Sequence, residues 1–288
     1  MQELFNEFLR EKRYLENLSC KTIRYYEWVF NRWKALIGSE IPNKSNTKEF
    51  VIAIQESGIS VFTANSYIRG MNSFLSWLSD NEKIDEKLRI KKLKEPIKVL
   101  RVFSDAQLRK LISDRPNTFV RWRIFVLTHL LIETGARIDE LLSLKRSDID
   151  FDNFLLLVYG KGGKERLLPF SIECRKVLYR FLKMHDCDWV LPARAGQKWQ
   201  YRTALEQFKE WCDDLKVTGV RCSFHTLRHT FASAYIRDGG NVLYLQRLLG
   251  HSDIQSTRIY VNSDISDLQM MQKRTSLVSN LKRKEERR

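Results

Sequence analysis

The chain has 288 residues, 43% of them hydrophobic, enough for one large or two modest domains with cores of their own. Fifty Lys and Arg against 35 Asp and Glu give a formal charge of +15, and the pI is near 9.6, which points to a polyanionic partner. No apolar run approaches the roughly 18–20 residues that span a bilayer, and MQELFNEFLREKRYLEN does not read as a signal peptide.

Residues 1–80 read as helices throughout. LFNEFLREKRYLE has apolar residues at helical spacing, and Ser19 opens a second helix that Gly38 ends. A third fits 47–57, and a fourth runs from near Ser60 through TANSYIRGMNSFLSWLSDN. Their Tyr, Trp and Phe recur at three- and four-residue steps and read as core rather than as base-stacking platforms. Residues 84–101, IDEKLRIKKLKEPIKVLR, lose the period, carry a Pro and are strongly basic, as suits an interdomain linker that could lie along a DNA backbone.

Ser104-Asp105 caps the first helix of a second, mixed domain. RWRIFVLTHLLIETG reads as a buried helix stopped by Gly135, with ARIDELLSLKRSDI as the next helix. NFLLLVYG and ERLLPF are β-rich runs joined by KGGK as a hairpin. Further helices fit 171–185, about 199–214, 226–238 and 241–249, followed by the short stretch 252–262, in which Tyr260 comes after a short helix. The predicted fold is mainly α with a small antiparallel sheet.

Six residues carry the chemistry: Arg137, Lys161, His225, Arg228, His251 and Tyr260. Cleaving a phosphodiester builds charge on its non-bridging oxygens, and the planar fork of arginine fits two of them. Arg137 lies just after a glycine-ended helix, with Glu140 three residues on to brace it; such a pair is also common on surfaces. KGGK lacks the Walker spacing and its Ser/Thr, so Lys161 suits proton donation to a leaving oxygen rather than nucleotide binding. In HTLRH, His225 and Arg228 share a helix face, and a histidine can take a nucleophile's proton; the plainer role is a capped helix with a buried histidine. His251 follows a glycine stop in LGHSDIQSTRIY, and Tyr260 needs a base and a cationic pocket to become a nucleophile. Packing in the core is the plainer role for that tyrosine.

Five cysteines (Cys20, Cys174, Cys187, Cys212, Cys222), an odd number without C-x-x-C, suit reduced thiols in a cytoplasmic protein. Cys212, Cys222, His225 and His229 have the side chains of zinc ligands, but the cysteine spacing is too wide for a finger. No metal and no cofactor are expected.

Together, TGARIDELLSL, GKGGKERLLP, HTLRH and LGHSDIQSTRIY resemble, in this order, the characteristic boxes of tyrosine recombinases of the Xer/phage-integrase family. The resemblance spans nearly the whole chain. It implies a helical, SAM-like core-binding domain (1–83), the basic linker (84–101), a catalytic α+β domain (102–270) and a basic tail (271–288), the two domains forming a C-shaped clamp on duplex DNA. It implies that Tyr260 attacks the scissile phosphate, leaving a 3′-phosphotyrosine and a free 5′-hydroxyl. Arg137, Arg228 and His251 would hold the phosphate, His225 would take the tyrosine proton, and Lys161 would protonate the departing 5′-oxygen. Lys161 is preferred to Lys164 as the first lysine of its box.

The resemblance also implies a homotetramer on two DNA sites that works through a Holliday junction without ATP, with the segment after Tyr260 docking on a neighbouring protomer. The same helix could instead fold back on its own domain. A chain beginning directly with core-binding helices is expected to lack the arm-site domain of lambda-type integrases, which favours a simple Xer-type resolvase of chromosome or plasmid dimers; a mobile-element integrase shares the same boxes and is the alternative. A type IB topoisomerase shares the phosphotyrosine chemistry but fits the helical N-terminal region and the Xer-like boxes less well. A catalytically silent DNA-binding protein would not need all six groups. The target sequence and any second recombinase or activator are beyond the motifs.

Overall fold

The computed structural model describes residues 1–96, 101–160 and 163–250, and the chain divides into two compact units, Met1–Lys98 and Val99–Arg288. The first unit holds four helices: α1 (Gln2–Tyr14), α2 (Cys20–Ile37), α3 (Lys44–Glu56) and α4 (Val61–Asp80). Short polar side chains start three of them by accepting the orphan N–H groups of the first turn. Ser19 accepts from Thr22 N, Asn43 from Ser45 N and Asn46 N, and Ser60 from Thr63 N. Gly38 takes φ +98° to turn the chain out of α2. The aromatic residues form the core as expected: Phe8, Trp33, Phe50 and Phe74 are fully buried, and Phe5 stacks on Phe30 with centroids 3.8 Å apart. Burying each such ring contributes about 1.5–3 kcal/mol.

Residues 84–96, expected within a linker, pack on the first unit. Ile90 is buried in its core, with Ile84, Leu88 and Leu93 against it. Two asparagines of α4 act as surrogate strand partners. Asn72 donates to Ile90 O (2.9 Å) and accepts from Ile90 N (2.8 Å); Asn65 does the same for Leu93 at 2.9 and 2.8 Å. Each side-chain amide thus satisfies a peptide group that has no sheet to join. Lys91, Lys92 and Lys94 remain exposed.

In the second unit, α5 (Asp105–Ser113) starts with a capping box between Ser104 and Gln107. Next comes α6 (Phe119–Thr134), with Ile124, Val126, Leu127, Leu130 and Leu131 buried around its circumference; it is the central helix of the unit. Helices α8 (Ile172–Leu182), α9 (Tyr201–Asp214) and α10 (Phe224–Arg237) pack on it. Strands β1 (Ile149–Asp150), β2 (Leu155–Tyr159) and β3 (Glu165–Pro169) form an antiparallel sheet in that order. β2 and β3 pair from Leu155↔Pro169 to Tyr159↔Glu165, and the hairpin turn brings Gly160 N to Lys164 O at 2.7 Å. The last described helix is α11 (Val242–Leu249), capped by Asn241.

The stretch 136–149 departs from the single helix its pattern predicts. It forms only α7 (Ile138–Leu141), then a 3-10 turn over Arg146–Asp148 that leads into β1. Leu141, Leu142 and Leu144 are all buried although the helix stops at Leu141. Long-range bonds take over: Val190 N donates to Leu144 O, Arg146 N to Asp188 O, and the Arg146 side chain to the carbonyls of Leu182, His185 and Cys187, while Asp148 accepts locally from Lys145 N. The two-residue β1 is too short to leave a period in the sequence. Among the described residues no helix is long and apolar enough to cross a membrane.

Candidate active site

Ser223 starts α10 by accepting Thr226 N at 3.2 Å, which fixes the first turn that carries His225 and Arg228. Their i,i+3 spacing puts both on one face, as read from the motif. Arg228 is 6% exposed and donates to Gly135 O (2.8 Å) and Leu249 O (2.7 Å). His225 lies exposed at the helix start, its ring 5.0 Å from that of His229 in an edge-on arrangement. Desolvation, then the charges of Arg228, Arg221 and Arg137, push its pKa below the ordinary 6.5. An imidazole held neutral in this way can accept a proton at neutral pH.

Arg137 approaches from the other side, at the N-cap of α7. Gly135 makes the turn possible, adopting the left-handed φ +60° that ends α6. The Arg137 backbone N–H donates to Glu140 Oε2 at 2.7 Å, and Nη1 reaches Oε1 at 3.2 Å. The side chain of Glu140 is 3% exposed and that of Arg137 39%, so the brace is buried while the guanidinium remains accessible. Burial works against the Glu140 charge. Bonds from Arg166 and Arg137 outweigh that cost and hold the carboxyl below its ordinary range.

The two boxes meet at the end of α11. Gly250 caps that helix in the left-handed conformation, φ +62° and ψ +42°. Arg137 Nη2 donates to Gly250 O at 2.7 Å, and Arg228 Nη2 to the adjacent Leu249 O at 2.7 Å. Residues 91 positions apart thus stand on neighbouring carbonyls. Arg166 of β3, which the sequence motifs did not single out, joins them: Nε donates to Leu248 O at 3.0 Å, and Nη1 and Nη2 to the two Glu140 oxygens at 2.6 and 2.7 Å. Strand alternation carried a signal for it, since Arg166 lies two residues before the buried Leu168 and so faces the core side of β3.

Of the six expected residues, Arg137, His225 and Arg228 are brought together. Lys161, His251 and Tyr260 lie outside the described residues. Gly160 and Gly163 frame Lys161 in the chain, and Gly250 immediately precedes His251. Among the described residues no three His, Cys, Asp or Glu side chains gather as metal ligands would. What remains is a cluster of arginines beside a neutral imidazole, suited to an anion.

Comparison with known proteins gives this cluster a context. Residues 101–267, more than half of the chain, match the family described as the phage integrase family. Tyrosine recombinase XerA of Thermococcus onnurineus is 30% identical over 97% of this chain and 99% of its own, and XerA of Pyrococcus furiosus is 28% identical over 93% and 92%. The Tn1549 transposon integrase, solved in complex with a circular intermediate DNA, shares the fold with a TM-score of 0.78 at 19% identity, over 94% of this chain and 98% of that one. With a family match over most of the second unit and a relative aligned nearly end to end, the chain belongs to the phage integrase family.

Proposed function

We propose that this protein is a site-specific DNA recombinase of the Xer type, cutting and rejoining duplex strands through a 3′-phosphotyrosine. The observation that carries the reading is the convergence of Arg137 and Arg228 on neighbouring carbonyls beside the neutral His225. Two guanidinium groups set side by side offer donors to two non-bridging oxygens and neutralise the charge that grows there in the transition state. Membership of the phage integrase family, XerA relatives over nearly the full chain and the charge of +15 support a DNA substrate.

In the proposed step the Tyr260 oxygen attacks phosphorus and the bond to the 5′-oxygen breaks. His225 takes the phenolic proton, and Lys161 gives one to the departing 5′-oxygen. Arg137, Arg228 and His251 hold the phosphate. The phosphotyrosine keeps the energy of the broken ester, so a 5′-hydroxyl of a partner strand can reverse the reaction without ATP or metal. Four protomers on two duplexes would exchange one strand pair at a time through a Holliday junction.

The test starts by recovering duplexes from a randomised pool as covalent adducts of the wild-type protein. A recovered site, nicked near the cleavage position so that the released fragment diffuses away, is then incubated in EDTA with wild type and Tyr260→Phe. A covalent adduct with wild type alone is expected. Adducts that need added metal, or that persist in Tyr260→Phe, refute the mechanism.

A further inference from the structure

Among the described residues, the end of α11 is where the candidate site is tied together. Helix ends leave carbonyls without intrahelical partners, and here three consecutive ones, of Leu248, Leu249 and Gly250, accept from Arg166, Arg228 and Arg137 in turn. The negative end of the helix dipole lies at the same place and favours the three cations. Arg137 and Arg228 have a role in the proposed chemistry. Arg166 has none, yet it makes three bonds, and its side chain is only 15% exposed.

Arg137 is aimed by two side-chain contacts, Glu140 Oε1 and Gly250 O. Arg166 holds both anchors. It grips the two oxygens of Glu140 as a fork, and it fixes the Leu248 carbonyl two residues before Gly250. A Cβ added at Gly250 would lie 3.0 Å from Arg166 Nη1 and 3.1 Å from Arg137 Nη1, so the bare α-carbon lets both guanidinium groups close in on the same turn. Two like charges this near are held by the carboxylate they share. The two side-chain bonds of Arg137 occupy two of its five N–H donors, and its side chain is the more exposed of the two, 39% against 15% for Arg166.

We infer that Arg166 is a positioning residue: by fixing Glu140 and the end of α11, it sets the Arg137 guanidinium for the phosphate. This rests on the proposed recombinase chemistry for its consequence, but the placement itself does not. Without Arg166, the Glu140 carboxylate has Arg137 as its remaining side-chain partner and draws it inward, away from the phosphate and from His225. Lysine would restore the charge without the two-pronged grip on the carboxylate.

Two measurements test it. The first needs no DNA: the His225 titration is followed by NMR in wild type, Arg137→Gln, Arg166→Gln and Arg166→Lys. Arg137 is among the charges that lower the His225 pKa, and Arg166 is not, so loss or withdrawal of Arg137 should move that pKa up towards its ordinary value. Both Arg166 variants are expected to move it in the same direction as Arg137→Gln; a His225 titration that Arg166→Lys leaves unchanged overturns the inference.

The second compares single-turnover cleavage of the recovered site as a phosphodiester and with one non-bridging oxygen replaced by a neutral methyl group. Arg166→Gln should cut the phosphodiester about a hundredfold more slowly, the scale on which small misplacements act, with DNA affinity little changed. The defect should shrink on the neutral substrate, where less charge needs an arginine. An equal defect on both substrates, or one confined to affinity, also overturns it. If wild type forms no adduct with any duplex, the recombinase reading falls, while the His225 titration still decides whether Arg166 places Arg137. Should Arg166→Gln not fold, Arg166→Lys decides both measurements.

Discussion

Replacing Gly135 by Ala should damage stability and the site at once. Gly135 sits at φ +60°, where an L side chain costs about 1–2 kcal/mol. Its added Cβ would lie 2.2 Å from Phe231 Cδ1 and 2.6 Å from Cε1, so the ring on α10 must move. Overpacking of this kind costs about 1–3 kcal/mol more, while the stiffer unfolded chain returns about 0.4–1 kcal/mol. The net loss is about 1–4.5 kcal/mol. Gly135 O also accepts from Arg228, so the same shift disturbs a phosphate-holding arginine.

The assay can be confined to the second unit. Cys174 and Cys212 are buried there, and burial pushes the Cys174 thiol up to about 12, so both are shielded in the folded state. Pulsed alkylation of the full chain across a urea series, read by mass spectrometry at these two cysteines, gives the unfolding midpoint of that unit. Gly219→Ala is the control. It has φ +81° with nothing within 4 Å of the added Cβ, so it carries the same strain and the same unfolded-chain gain without the clash, and should lose no more than about 1.5 kcal/mol. If Gly135→Ala destabilises no more than Gly219→Ala, the packing of Gly135 against Phe231 is not what the structure makes it.

The acid limb of the cleavage rate should titrate below pH 6.5, because His225 must be neutral to act as base and its surroundings disfavour the charged form. Rate is then kept above that depressed pKa and lost as pH falls through it. Arg221→Gln should move the limb up towards 6.5 and leave the rate at pH 8 alone; a limb that does not move excludes His225 as the titrating base. Neutralising Lys91, Lys92 and Lys94, all exposed on the segment held by Asn65 and Asn72, should weaken DNA binding regardless of sequence and flatten its log–log salt dependence by up to about 3. An unchanged slope in fluorescence anisotropy titrations would show that these lysines touch no phosphate.

Local rules explain why much of the fold is legible in the sequence. Ser19, Ser60, Ser104 and Ser223 cap helices through bonds to the next few residues, and Gly38, Gly135 and Gly250 end them through their own φ, so these signals need nothing distant. Where the pattern misleads, partners far along the chain decide the backbone. ARIDELLSLKRSDI has helical propensity, but Arg146 finds carbonyls of residues 182–187, and Leu144 O takes the N–H of Val190. The stretch 84–96 looks like a linker because its composition is polar and basic. It is held in place by two asparagine side chains whose bonding to Ile90 and Leu93 leaves no periodic trace.

The candidate site divides in the same way. Arg137 with Glu140, and His225 with Arg228, are three residues apart, so their mutual placement follows from local rules, a capping box for the first pair and helix geometry for the second, and is legible. That the pairs meet depends on Leu248, Leu249 and Gly250, whose contribution is a carbonyl that every residue possesses. Sequence distinguishes side chains, and an acceptor made of backbone is invisible to it; Gly250 alone betrays the spot, because the turn needs φ +62° and a Cβ there would crowd both guanidinium groups. Arg166 is the part of this arrangement that strand alternation could have revealed. An arginine alternating with a buried leucine on a strand needs acceptors on the core side, and Glu140 supplies them by presenting two oxygens to two arginines at the same time. A carboxylate shared between a buried arginine and an accessible one binds tightly to the first and leaves the second partly uncommitted, which is the condition under which it can also hold a phosphate.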